Sequence, residues 1–550
     1  MFAVEWSSPA AYVVYMQRHT SSHLSQSQDA PAAQASGGDP RWTRFGFIMA
    51  ASGSAIGLGN VVFFPANAYR FGGGSFYLPY LLALLVVGVP LLIVELGLGR
   101  EHRRAYPGAL RKAAGGTGEF LGWWALFNTG FIALCYVAIL GWVVGMLVGS
   151  LGPLWEPSTA LTGFDAERLA NPRGFFYRMI SRPAPLLFIA LIWAANLWIV
   201  RRGAAGIERA VRVFVPAMWI LMFLLLIRGV TLPGGVDGVW YLFTPDPAVL
   251  SDVEVWRGAI SQIFFTISIG FGVMTAYGAY LPERGSQTTQ AVLVSFLNCG
   301  FEYVAGIAVF AILFAFAVVP QASTIAMTFF IAPEGIGQLP GGPPVVTSFG
   351  VLFFLLLLLA GLSSSVSMVE ALVAALREKF DLHRGATTTA ICTAGILGSW
   401  VFALPHVVDP QLHGHGTLGM TLFDLIDHWA FDYGLLLVGL SQALLLARHR
   451  RIERLRRSLD ARSPRKLGPA FDILVGRVIP VLLTALLVWS LVAEVRAGLY
   501  GADATFADGW SRLATVAPGA ALLLWLTVPT GLAILLTRWP PVPRTRRSQP

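Results

Sequence analysis

The chain has 550 residues, of which 55% are hydrophobic and only 13% charged, about half the charged fraction of an ordinary soluble protein. That balance excludes a soluble enzyme and a disordered chain, and the length accommodates about a dozen membrane-spanning helices of roughly 20 residues each. The net charge of +9, with 36 Arg, 3 Lys and 30 acids, points to cationic loops on one side of a membrane rather than to nucleic acid.

Residues 1–40 are polar and rich in Ser, Ala and Gln, which predicts a disordered cytoplasmic tail. Twelve apolar stretches follow, at about 45–70, 76–99, 119–151, 184–201, 209–228, 253–281, 289–319, 346–376, 387–405, 417–447, 472–498 and 513–537. Residues 41–540 therefore form one polytopic domain, with 541–550 as a second tail. The loops after even-numbered stretches hold Arg100, Arg103, Arg104, Arg111 and Lys112, then Arg201, Arg202, Arg209 and Arg212, then Arg377, Lys379 and Arg384. The loops at 229–252, 320–345 and 406–416 contain no Arg or Lys. Both termini are thus expected in the cytoplasm of a cell with this chain in its inner (plasma) membrane. The run Arg448–Lys466 reads first as a solvated loop, and only second as a binder of anionic lipid or nucleic acid. Cys135, Cys299 and Cys392 all lie in apolar runs, so no external disulfide framework is expected. His406, His413 and His415 with Asp409 read as a Gly-rich external turn before they read as a metal site.

Two stretches are poor uninterrupted helices. The first contains Gly53, Gly57 and Gly59 and then Pro65; the sixth contains Gly270 and Gly272 next to Thr266 and Ser268. Each Gly costs about 1 kcal/mol relative to Ala inside a helix, and Pro about 3. Close helix packing explains the glycines but not the polar residues beside both breaks. Breaks at matching positions of two five-helix halves, 45–228 and 253–447, point to a midplane site for substrate and ions. The stretch 472–537 then adds two further helices.

Polar side chains gather on single helical faces. Gln262 and Thr266 are spaced i, i+4, as are Asn298 and Glu302, and Ala360 precedes Ser363 and Ser364 by one turn. Asn60 closes the first Gly run. These are hard oxygen donors suited to an alkali cation, and no Cys/His set suits zinc. Glu302 lies deep in an apolar stretch, where an ionisable group is a functional candidate; the bland alternative is a neutral hydrogen-bonded carboxyl. Glu95, Glu370, Asp424 and Asp427 fall nearer the ends of stretches, which favours a solvated or structural role. Tyr80, Tyr136, Phe265, Phe271, Tyr277 and Tyr280 supply aromatic walls, and Ile132 shares a face with Tyr136, as Met368 does with Ser364.

Gly53-Ser-Ala-Ile-Gly-Leu-Gly-Asn60 with Phe64-Pro65, Gly72-Gly-Gly-Ser-Phe with Pro79-Tyr80, Phe264-Phe-Thr-Ile-Ser-Ile-Gly-Phe-Gly272 and Ala360-Gly-Leu-Ser-Ser-Ser365 together resemble the neurotransmitter:sodium symporters, most closely their bacterial leucine-transporter-like branch. The resemblance runs from about Arg41 through the twelfth stretch. It implies an all-α membrane fold of about 12 helices, a five-plus-five inverted repeat with helices 1 and 6 broken. It also implies two sodium ions and no organic cofactor. One sodium would be held by the Ala55 carbonyl, Asn60, Thr266, Asn298 and the substrate carboxylate. The other would be held by the carbonyls of Gly53, Ile56 and Ala360 and the hydroxyls of Ser363 and Ser364. Tyr136 and the amides of Gly57 and Gly59 would meet the substrate carboxylate, with Ala55, Ile132, Phe265, Thr266, Ser268, Phe271, Ser364 and Met368 lining the rest. Gly57 stands where amine carriers of the family place an Asp, which favours an α-amino acid.

This chain departs from the family at both gates. The external Arg is replaced by Phe63, leaving Asp427 without its usual partner; Arg41 and Glu378, with Tyr280 beside Glu378, would form the cytoplasmic gate. Glu302, near Tyr80 and Gln262, replaces a Ser of the chloride site, so chloride should be dispensable. A nearby sodium favours an ionised carboxyl and its departure a protonated one, which raises proton counter-movement. The expected function is sodium-coupled uptake of a neutral, apolar amino acid. The rivals are a non-transporting amino-acid sensor and a carrier of another zwitterion, such as a betaine or a GABA-like compound. An intramembrane enzyme has no supporting motif.

Overall fold

The computed structural model describes residues 42–156, 172–180, 182–281, 286–403, 428–497 and 517–540. Among these, all regular structure is helical. Nine helices are long and apolar enough to cross a membrane, and Arg44–Ala55 with Gly59–Arg70 make a further span bent by 51°. We label the elements that build the site α1 (Arg44–Ala55), α2 (Gly59–Arg70), α3 (Gly73–His102), α4 (Gly116–Gly149), α5 (Ala184–Val200), α6 (Gly203–Val230), α7 (Val253–Thr266), α8 (Val273–Ala279), α9 (Gln287–Ala315), α10 (Pro343–Phe380), α11 (Arg384–Ala403), α12 (Leu436–Ala447) and α13 (Arg451–Asp460).

The core and the lipid face separate by side-chain chemistry. α1 is buried at Gly46, Phe47 and all positions from Ala50 to Ala55, so its small residues let neighbouring helices close around it. On α6, Val213, Ile220 and Ile227 are exposed at helical spacing, as are Leu187 and Leu191 on α5; such outward apolar rows suit hydrocarbon rather than water. α4 and α10, of 34 and 38 residues, exceed the roughly 20 residues that the hydrocarbon core requires. Their projecting ends are braced by Lys379, whose Nζ lies 2.6 Å from Glu119 Oε1 with both side chains 5% exposed, while Arg111 reaches the other carboxylate oxygen at 2.8 Å.

Both sequence breaks are breaks in the fold. α1 stops at Ala55 because Ile56 turns extended (φ −73°, ψ 99°), and α2 begins with a π-helical turn, Gly59–Phe63. α7 stops at Thr266; the connection to α8 passes through positive φ at Ser268, Gly270 and Gly272. Freed backbone in this connection finds protein partners: Gly270 N donates to Glu95 Oε1 at 2.9 Å, and Thr129 Oγ1 donates to the Phe271 carbonyl at 3.1 Å.

Some expectations change here. Glu95 and Glu370 are not near solvated ends but fully buried; Glu95 caps the second break, and Glu370 accepts from Arg384 and, at 2.6 Å, from Tyr280. The run Arg448–Lys466 is not simply a loop. It contains α13, whose Ile452, Leu455 and Leu459 are buried because their spacing puts them on one face. Asp424, Asp427, Arg41, His406, Asp409, His413 and His415 lie outside the described residues.

Candidate functional site

A small cavity lies between the two breaks. Its walls include Ala55, Gly57, Gly59 and Asn60 from the first broken span, and Phe265, Thr266, Ser268 and Phe271 from the second. Tyr136 of α4 and Ser364 and Met368 of α10 join them from the expected set. Ser54 and Val273 also line it; no polar motif marked Val273, and Ser54 became visible only through its carbonyl. Ile132, one turn before Tyr136 on α4, is buried like Tyr136 itself.

The first break redirects backbone amides. Gly57 N donates to Asn60 Oδ1 at 2.7 Å, and Leu58 N to Tyr136 Oη at 3.1 Å. Neither amide therefore reaches the carbonyl four residues back, which releases the carbonyls of Gly53 and Ser54. The Ser54 carbonyl then accepts from Ser364 Oγ at 3.0 Å and Ser268 Oγ at 3.3 Å, tying both broken spans to α10. A side chain at position 57 would displace Ser364 or Tyr136, since a Cβ there would stand 2.6 Å from Ser364 Oγ and 2.8 Å from Tyr136 Oη.

One edge of the cavity is a buried cluster of oxygen-bearing side chains. Asn60 Nδ2 donates to Asn298 Oδ1 at 2.8 Å and to Thr266 Oγ1 at 3.1 Å, and Asn298 Nδ2 donates to Thr266 Oγ1 at 2.9 Å. The cluster continues to Glu302, whose Oε1 accepts from Thr266 at 2.6 Å and from Gln262 at 2.8 Å. Tyr80 donates to Glu302 Oε2. A second group forms where Ser363 Oγ donates to the Ala360 carbonyl at 2.8 Å and to the Ile56 carbonyl at 3.5 Å, one turn from the freed Gly53 carbonyl. These neutral, hard oxygens on broken backbone are the donor chemistry a sodium ion requires.

Rings cover the cavity on one side. Phe63 stacks on Phe265 with centroids 5.2 Å apart and planes at 17°. Phe431, in the π-helical turn His428–Leu435 before α12, meets Phe265 edge-on at 4.9 Å. Beside them Arg257 Nη1 lies 3.9 Å from Asp432 Oδ2, and His428 Nδ1 lies 3.4 Å from the same oxygen. On the other side Trp42 packs edge-on against Tyr277 at 4.8 Å and Tyr280 at 5.2 Å. Here the expected neighbour is corrected: Tyr280 donates to Glu370, while Glu378 accepts from Arg104 Nη1 at 2.9 Å and Ala105 N at 2.7 Å. Glu370 and Glu378 are two helical turns apart on α10, so only one of them can reach the end of α8.

Residues 40–160 and 184–537 match the model of the sodium:neurotransmitter symporter family. An uncharacterized sodium-dependent transporter of Methanocaldococcus jannaschii is 33% identical over 485 residues, covering 84% of this chain and 92% of the relative. The human sodium- and chloride-dependent creatine transporter 1 is 28% identical over 442 residues, covering 71% and 67%. Among solved structures, that of MhsT in complex with L-phenylalanine matches with a TM-score of 0.71 and 30% identity, covering 82% of this chain and 99% of that one.

Proposed function

The chain belongs to the sodium:neurotransmitter symporter family, and from that premise we propose that this sodium-dependent, multi-pass symporter takes up a neutral, apolar α-amino acid by alternating access, without needing chloride. The observation that carries the reading is the Asn60–Thr266–Asn298 cluster at the cavity edge. It can share one sodium with a substrate carboxylate, which the Gly57 and Gly59 amides and Tyr136 would hold. A second sodium suits the Gly53, Ile56 and Ala360 carbonyls with Ser363 and Ser364. The substrate side chain would meet Ala55, Phe265, Phe271, Val273 and Met368, a wall with no acidic or basic side chain, which disfavours acidic and basic amino acids. The L-phenylalanine bound by MhsT supports an amino acid over the betaine or GABA-like alternatives.

Sodium would favour closure only through its differential affinity for the two states. Arg41, Tyr280 and Glu370 are proposed at the cytoplasmic closure; the Phe63–Phe265–Phe431 rings are proposed at the external one, in the place of the latch that Asp427 would have made. Glu302 supplies the negative charge, and its protonation on sodium release would return a proton. The Arg-rich loops favour cytoplasmic termini in an inner (plasma) membrane.

The test is uptake of labelled phenylalanine and other amino acids into proteoliposomes holding the full chain. Uptake should require external sodium, persist with gluconate in place of chloride, and respond to internal pH. Uptake that is equal in potassium and sodium would defeat the ion assignment. Binding without counterflow would point to a sensor, and a preference for betaine or GABA to the other zwitterion class.

A further inference from the structure

A second cavity, of about 230 Å³, lies far in sequence from the breaks, on the Arg-rich side of the molecule. Its walls come from the end of α3, the short helix Tyr106–Ala114, the end of α12 and the start of α13. Lys112, Arg451 and Arg454 bring three cations to it. Arg451 donates to the Leu445 carbonyl at 2.9 Å and Arg454 to the His449 carbonyl at 3.2 Å. These are neutral acceptors, and among the described residues none of the three cations makes an ion pair. The acid on the wall, Glu101, is already engaged by Ser458 and lies 3.8 Å from Arg462. The floor is apolar, formed by the buried Leu98, Leu446 and Leu455. Uncompensated cations above an apolar floor at the end of membrane-spanning helices are the chemistry that holds a phosphate oxyanion attached to a hydrocarbon chain.

We propose that this pocket binds the headgroup of an anionic phospholipid, with the phosphate among Lys112, Arg451 and Arg454 and the upper hydrocarbon against the leucines. Inorganic phosphate shares the anion but makes no use of the floor. The bound lipid has a route to the broken span. Gly99 packs so closely on α8 that a Cβ would stand 1.9 Å from the Thr275 carbonyl oxygen, and Arg103 donates to the Ala279 carbonyl at 2.8 Å. The α3 segment that forms the wall is therefore tied to the inner half of the second broken span, and a lipid on that wall sets where α8 rests.

The experiment uses the full chain, purified and placed in nanodiscs of phosphatidylcholine with or without phosphatidylglycerol. Bound lipid is counted by native mass spectrometry after release into mild detergent. Each cation near an anionic lipid is worth roughly fivefold in affinity. The triple variant Lys112→Gln, Arg451→Gln, Arg454→Gln should therefore lose phosphatidylglycerol by on the order of a hundredfold, while Arg457→Gln, outside the pocket, should retain it. In proteoliposomes of the same lipids, sodium-dependent uptake by the native chain should rise with the phosphatidylglycerol fraction, and that of the triple variant should not. Leu455→Trp, which fills the cavity without changing charge, gives a second route to the same loss should the triple variant unfold. Equal retention of phosphatidylglycerol by the native and variant chains overturns the proposal. Stabilisation by inorganic phosphate matching that by phosphatidylglycerol overturns the lipid as the source of the anion.

Discussion

Gln262, Thr266 and Tyr80 all donate to the fully buried carboxyl of Glu302, and a carboxyl in so apolar a span is costly unless it has a task. Replacing it by Ser leaves the donors in place and opens room for an anion. Glu302→Ser is expected to make uptake chloride-dependent, read as a loss of rate when gluconate replaces chloride; a fully active, chloride-independent variant would remove Glu302 from this role. Phe63 is the second informative residue, because its ring stacks on Phe265 at the cavity. An aromatic pair contributes about 0.5–1.5 kcal/mol beyond its buried area. Phe63→Ala should therefore speed substrate release by roughly two- to tenfold, measured by stopped-flow dissociation from the sodium-loaded chain. An unchanged rate would mean that the stack does not close the cavity.

At the level of elements, the two breaks persist because neighbouring helices satisfy what they expose. Glu95 on α3 accepts the Gly270 amide, and an orphaned buried donor costs about 1–3 kcal/mol. Glu95→Leu should lower stability by about that amount and weaken substrate binding, whereas Glu95→Gln, which keeps an acceptor oxygen, should restore most of both. Thermal unfolding with and without sodium reads the difference. The tether between α7 and the turn before α12 is of another kind. Arg257 and Asp432 stand 3.9 Å apart, 17% and 39% exposed, and a partly solvated pair at that separation contributes about 0–1 kcal/mol. Asp432→Asn should change uptake by less than roughly fivefold; its complete loss with normal expression would show that Asp432 has an essential partner.

Across the whole molecule, α4 and α10 carry Tyr136, Ser364 and Met368 to the cavity and hold the broken spans between them. Their brace, Glu119 with Lys379, is almost fully buried. Removing one partner of a buried pair costs about 3–5 kcal/mol; because Arg111 remains on Glu119, Lys379→Met should fall at the lower end. The loss should appear in thermal unfolding without altering which ions or substrates bind. A change in selectivity would place Lys379 in the transport cycle rather than in the scaffold.

The membrane class, the two breaks and the oxygen donors beside them were legible in the sequence because each is a local property: a run of apolar residues, a Gly or Pro against helix propensity, a polar side chain one turn from another. Asn60, Thr266, Asn298 and Glu302 were found this way, whereas most of the cavity wall came from the family resemblance. Local pattern says nothing about how helices rotate and cross. Val273 in the wall, Tyr280 on Glu370 instead of beside Glu378, and Phe431 closing on Phe265 from 166 positions away follow from tertiary packing alone. The helical period of Arg451–Asp460 was present in the chain, yet only its burial against α3 distinguished a docked helix from a charged loop. Side-chain chemistry and periodicity are written along the chain, whereas the facing of one helix toward another is decided by the combined packing of segments distant in sequence.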